Sequence, residues 1–200
     1  MKIPNILSLS RLVLAPVFLL MFLSAQNGGY GDEPFGIWAA LGIVIYFEVS
    51  DIADGFIARR FKQTSQLGKV LDPLSDSVSR FTVFLGFLVE GYASPFAIAF
   101  IFYRDSIVAT LRVLAASQGV IMSARWSGKL KAVVQGAAII TLISFATSPA
   151  TYGMEIDAMG FNPLKESVAK PVMWGVAAFT LMSLCDYLWG NRKILASLDR

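Results

Sequence analysis

Four aspartates have the type and spacing to do chemistry together. Asp51 and Asp54 stand three residues apart and Asp72 and Asp76 four apart, so on a helix each pair projects from one face. Four carboxylates in one small space repel one another and do not all stay ionised unaided. Divalent cations are the simplest remedy. The chain contains no histidine, which removes the usual imidazole base, any histidine-containing metal site and any Ser/His triad. Oxygen ligands alone suit hard ions such as Mg²⁺ or Mn²⁺. Two such ions, held by Asp51, Asp54, Asp72 and Asp76, could neutralise a diphosphate, polarise a phosphorus under attack and steady a leaving phosphate.

The elements that must hold these acids are membrane helices. Of the 200 residues 56% are apolar and only 16% charged, more apolar surface than a soluble core of this size can use. Six runs approach the roughly 20 residues needed to span about 30 Å of hydrocarbon. They cover about 6–24, 35–49 with helix continuing to 61, 70–90, 95–116, 132–148 and 171–189. Lipid offers the backbone no partners, and no alternating strand pattern is present, so the expected fold is all-α: six transmembrane helices with a short N-terminal amphipathic segment. Residues 1–200 read as one domain.

The basic residues set the orientation. Lys2, Arg11, the group Arg59, Arg60, Lys62 and Lys69, the group Arg125, Lys129 and Lys131, and Arg192, Lys193 and Arg200 all fall on one side if both termini are cytoplasmic. The opposite connections hold Lys165 and Lys170, balanced by Glu155, Asp157 and Glu166. Helices two and three, joined by the short stretch 62–66, are expected to be antiparallel neighbours with both acidic pairs at the cytoplasmic end. Asp51 then lies about 24 Å along its helix, near the inner edge of the hydrocarbon. The run 148–167, rich in Gly, Pro and polar residues, is expected to be a loop. No cleavable signal peptide is apparent, and the single Cys185 reads as a small buried hydrophobe.

Written out, the acidic stretch is Asp51, two residues, Asp54, Gly55, two residues, Ala58, Arg59, eight residues, Gly68, three residues, Asp72, three residues, Asp76. It resembles the signature of the CDP-alcohol phosphotransferases, with all eight fixed positions present across 26 residues. The resemblance implies that the aspartates hold the metal ions and that Asp76 also serves as the general base for the acceptor hydroxyl. It implies that Gly55, Ala58, Arg59 and Gly68 line the CDP pocket, with Arg59 near the diphosphate. Small residues at 55 and 58 would admit a nucleotide close to the helix backbone, although close helix packing also favours them. Pro4, Asn5, Ser8 and Arg11 reproduce a recurring N-terminal pattern of the family, which would set Asn5 at the nucleotide end. The donor implied is CDP-diacylglycerol.

A second cluster comprises Arg104, Asp105, Arg112, Arg125, Ser127, Gly128, Lys129 and Lys131. Arginines within a membrane helix need anionic partners, and a phosphate monoester supplies them through bidentate hydrogen bonds. The plainer account is that Arg104 pairs with Asp105 while Arg125 and Lys131 obey the positive-inside rule. The order of these residues resembles the glycerol-3-phosphate-using branch of the family, the phosphatidylglycerophosphate synthases. That resemblance implies glycerol 3-phosphate as acceptor, its phosphate on Arg104, Arg112 and Lys129. One departure is Ser77, where the branch usually carries Lys, with Arg80 a turn beyond Asp76. Arg80 would supply the missing charge, mark another acceptor such as inositol phosphate, or partner Asp76 or Glu48. Serine and phosphatidylglycerol are further acceptor alternatives.

Glu48 reads as a group behind the metal ligands, Glu90 and Asp186 as solvated, and the four tryptophans as interfacial anchors. A transporter or channel is the alternative outside enzymology, because membrane carboxylates also mark ion paths; acids gathered at one mouth rather than at the midplane weigh against it. The expected setting is a bacterial inner membrane with the site facing the cytoplasm. The partners expected are membrane lipid and a possible second copy of the chain in a homodimer; no nucleic acid is expected.

Overall fold

The computed structural model describes residues 3–26, 35–60, 66–118, 125–147 and 164–197; within these, the side chains at 3, 4, 54–56, 58, 59, 66–70, 116, 117, 193, 196 and 197 are not described. Six long helices follow one another among the described residues: α1 (Ile3–Gln26), α2 (Phe35–Arg60), α3 (Gln66–Val89), α4 (Pro95–Ser117), α5 (Trp126–Ala146) and α6 (Lys170–Ser197), the last preceded by a π-helical turn, Lys165–Ala169. No strand occurs among the described residues. The expected loop over 148–167 falls outside the described residues up to 163, and its end is helical.

Four of the six runs, carried by α1, α2, α5 and α6, are long and apolar enough to cross a membrane. The other two are α3 and α4, and the cause is compositional: α3 carries Asp72, Asp76 and Arg80, and α4 carries Arg104, Asp105 and Arg112. The helices least suited to lipid are those that hold the charged clusters.

Side-chain pairs give the helix directions. Ser8 meets Asp72, Phe22 meets Phe87 and Gln26 meets Tyr92, so α1 and α3 run parallel. Phe100 meets Trp174, Arg104 meets Ser183 and Arg112 meets Tyr187, so α4 and α6 run parallel too. Gln135 pairs with Thr180 and Arg125 with Asp186, the reverse order expected of antiparallel α5 and α6. One apolar core, including Phe18, Phe22, Val44, Phe84, Ile98, Ile139 and Met173, draws on all six helices. Outward faces carry Leu20, Val133 and Met182, apolar side chains that suit contact with lipid.

Three expectations change. The amphipathic start is not a separate segment, because α1 is continuous from Ile3 and its polar residues Asn5, Ser8 and Arg11 are buried inward. Helices α2 and α3 pack mainly through α1, which lies against both, rather than directly on each other. Cys185 is exposed, sharing an outward stripe with Met182 and Trp189 at helical spacing. A lipid-facing position and a buried one are equally apolar, so hydropathy does not separate them.

Candidate active site

The site assembles where α1 meets α2 and α3. Ser8 and Arg11 lie three residues apart, hence on one face of α1. Ser8 Oγ donates to Asp72 Oδ1 at 2.6 Å, and Arg11 Nη1 donates to Asp51 Oδ1 at 3.2 Å. Asp76 is held from its own helix, one turn on, by Arg80 Nε at 2.9 Å from Oδ1. In all three carboxylates one oxygen is thus steadied, while among the described residues the second oxygen makes no hydrogen bond.

Burial separates the holders from the held. The Arg11 side chain is 1% exposed and Asp51 44%; Arg80 is 11% exposed and Asp76 41%. Buried donors fix the orientation of carboxylates that face outward, the arrangement that metal-ligating carboxylates need from their supporting shell. The donor set is all oxygen and so fits a hard divalent ion. Among the described residues no three such groups are already close enough to form a ready metal cage. Asp54, Gly55, Ala58, Arg59 and Gly68 lie outside the described side chains. Asn5 is buried, at 5% exposure, on the same stretch of α1 as Ser8.

Arg80 has further partners. Nη2 donates to Glu48 Oε2 at 3.3 Å and Nη1 to the carbonyl oxygen of Ala132 on α5 at 3.2 Å. Glu48, Asp76, Arg80, Arg11 and Ser79 border a cavity of about 10 Å³, about the room one water needs. A larger, mostly apolar cavity of about 280 Å³ opens between α3 and α4, with Ser77, Arg80, Asp105 and Ser106 as its polar lining.

The second cluster is built differently. Arg104 is buried at 6% exposure and donates to Ser183 Oγ at 2.7 Å and to Asp105 Oδ1 at 3.1 Å. Lys131 Nζ grips both Asp105 oxygens, at 2.8 and 2.9 Å. Arg112 lies over the Tyr187 ring at 5.5 Å and Lys129 over the Trp126 ring at 5.8 Å; both are exposed. A Cβ at Gly128 would stand 3.5 Å from Arg104 Nη2, which puts the start of α5 beside that guanidinium. Arg104 Nε is buried with no partner among the described residues.

Sequence reasoning gave Asp186 and Glu90 to solvent. Asp186 remains 38% exposed while Arg125 holds it with two hydrogen bonds of 2.7 Å and Ser127 adds a third, whereas Glu90 is 12% exposed and lies 4.0 Å from Lys165. It also gave no role to Ser183, or to Ser8 and Arg11 beyond a pattern. A signal was present: Ser8 and Arg11 share one face of an otherwise apolar helix, and polar groups in such a place need partners.

These features describe a helical, lipid-facing protein that presents oriented carboxylates beside a cluster of cations. A family model described as CDP-alcohol phosphatidyltransferase matches residues 1–182, and the chain belongs to that family, whose members are phosphatidyltransferases. A protein of Bacillus subtilis (strain 168) named CDP-diacylglycerol--glycerol-3-phosphate 3-phosphatidyltransferase is 25% identical over 199 residues, covering 97% of each chain. One of the same name from Pectobacterium atrosepticum is 36% identical over 150 residues, 71% of this chain and 76% of its own. A Mycobacterium tuberculosis protein provisionally named cardiolipin synthase is 30% identical over 198 residues, 94% of this chain and 78% of its own.

Proposed function

We propose that this chain transfers the phosphatidyl group of CDP-diacylglycerol to glycerol 3-phosphate and releases CMP, as a step of phospholipid biosynthesis. The observation that carries the reading is the trio Asp51, Asp72 and Asp76, each with one oxygen steadied and the other left for a ligand. The names of the Bacillus and Pectobacterium relatives support the acceptor.

In the reaction the acceptor hydroxyl oxygen bonds to the phosphorus that bears diacylglycerol. The bond from that phosphorus to the bridging oxygen breaks, and CMP departs with its electron pair. Asp76 takes the hydroxyl proton as the new bond forms, because a hydroxyl is a weak nucleophile until its proton is accepted. Asp51, Asp54, Asp72 and Asp76 would hold two ions, Mg²⁺ or Mn²⁺, which when bound offset the charge of the diphosphate and of the leaving phosphate. Asn5, Gly55, Ala58, Arg59 and Gly68 receive the CDP end. Arg104, Arg112 and Lys129 receive the acceptor phosphate, and the unpartnered Nε of Arg104 supports its share of that task.

The mycobacterial relative's name favours a second reading, in which the acceptor is phosphatidylglycerol. Purified protein offered CDP-diacylglycerol, a divalent ion and either acceptor tests both. Product from glycerol 3-phosphate is expected; product from phosphatidylglycerol alone moves the chain to the second reading, and release of CMP with neither overturns both.

All six helices span the membrane in this proposal, with both termini and the acidic mouth at the cytoplasmic face of a bacterial inner membrane, and two copies pair as a homodimer. The four clearly apolar helices support the membrane setting. Labelling of single cysteines placed near either terminus, from each side of sealed vesicles, checks the orientation.

A further inference from the structure

The departure after Asp76, Ser77 followed by Arg80, has a structural counterpart in the three-way contacts of Arg80. Its three nitrogens reach Asp76 on α3, Glu48 on α2 and the Ala132 carbonyl on α5. A guanidinium presents its N–H groups in one rigid plane, so a second and third anchor fix the direction of the first. Asp76 is half-exposed and would otherwise be free to rotate; Arg80, nearly buried, is not.

Glu48 is part of the same arrangement. Its carboxylate occupies the place a side chain would take at Gly136 of α5, where a Cβ would lie 2.8 Å from Oε2. That glycine lets α5 close on Glu48 and so on Arg80. Glu48 also preserves the charge of the site. Arg80 with Asp76 alone sums to zero, whereas the two carboxylates with one guanidinium leave one negative charge. Arg80 can therefore grip Asp76 without cancelling the field that a cation or a reacting hydroxyl meets.

We infer that Arg80 is the positioning residue for Asp76, braced by Glu48 and the α5 backbone, and that Gly136 is kept side-chain-free to seat the brace. The inference rests on the proposed role of Asp76 in phosphatidyl transfer. Arg80 touches neither substrate nor reacting atoms in this account; it acts through the carboxylate it orients.

The test uses the full chain, purified in lipid-detergent micelles, with CMP release as the readout. Arg80→Ala is expected to lower kcat by about 100-fold, the scale of an ångström-level misplacement, with the KM for CDP-diacylglycerol within about twofold of wild type. Added guanidinium ion is expected to restore about tenfold of that loss by refilling the same hydrogen bonds. Full activity in folded Arg80→Ala overturns the inference, as does a loss that guanidinium leaves untouched. If Arg80→Ala does not fold, Gly136→Ala decides. It displaces Glu48 without altering either residue of the Arg80–Asp76 pair, and kcat is expected to fall about fivefold; wild-type kcat in that folded variant overturns the brace. Asp76→Asn in the same assay separates the two levels. If it stays active, the role of Asp76 fails; if it is dead while Arg80→Ala is active, only the positioning role falls.

Discussion

The α1–α3 half of the molecule and the α4–α6 half both carry dense charge, yet they dispose of it in opposite ways. In the first half, three carboxylates each accept one hydrogen bond from a better-buried neighbour and keep an oxygen in reserve. In the second, charges of opposite sign largely satisfy each other: Asp105 is shared by Arg104 and Lys131, and Asp186 is clasped by Arg125 and Ser127. Unspent capacity at an exposed carboxylate indicates a ligand still to come, whereas charges closed on one another hold helices together. In the proposed reading the first half offers its carboxylates to metal and diphosphate, and the second is a scaffold with Arg112 and Lys129 exposed at its edge beside the buried Arg104.

Removing divalent ions separates the halves most sharply. A chelator is expected to abolish transfer, by more than about 1,000-fold, and added Mg²⁺ or Mn²⁺ to restore it; helix content followed by circular dichroism should hardly change. Next in size is Arg104→Ala. If Arg104 serves acceptor phosphate, the KM for glycerol 3-phosphate rises about 100-fold while the KM for CDP-diacylglycerol holds. If it serves only the scaffold, thermal stability falls and both KM values stay in place, because the variant leaves Asp105 to Lys131 and strands the Ser183 hydroxyl. Ser8→Ala removes the hydrogen bond to Asp72 and is expected to lower kcat about tenfold, the worth of a hydrogen bond to a charged group. The smallest effect belongs to Gly190→Ala. Its Cβ would fall 1.8 Å from Arg125 Nη1 and must dislodge the clasp on Asp186. That pair is half-exposed and screened by solvent, so the loss is small, read as a slight fall in the thermal melting temperature with kcat intact.

Much of this was legible in the chain itself. Lipid forces backbone groups to pair within helices, so apolar runs such as 95–116 reappear almost unchanged as α4 (Pro95–Ser117). The acids were legible because a carboxylate in such a run is costly and its spacing fixes its face. Partners across the bundle were not. The spacing of residues 8 and 11 says that they share a face and need partners, but not that those partners stand on α2 and α3. The start of α5 was placed late, at 132, because hydropathy ignores a polar first turn tied down by Ser127 and Asp186. Arg80 stands out in the sequence as a departure, but its contacts with Glu48 on α2 and the Ala132 carbonyl on α5 are visible only in the fold.

In the proposed reading the acids of α2 and α3 are chemical rather than structural. Replacing Asp76 with Asn and following CMP release from CDP-diacylglycerol in the presence of glycerol 3-phosphate tests it most directly. The expected rate is at least about 100-fold lower, the usual contribution of a general base, in a protein that melts near the wild-type temperature. Release at the wild-type rate would contradict that reading.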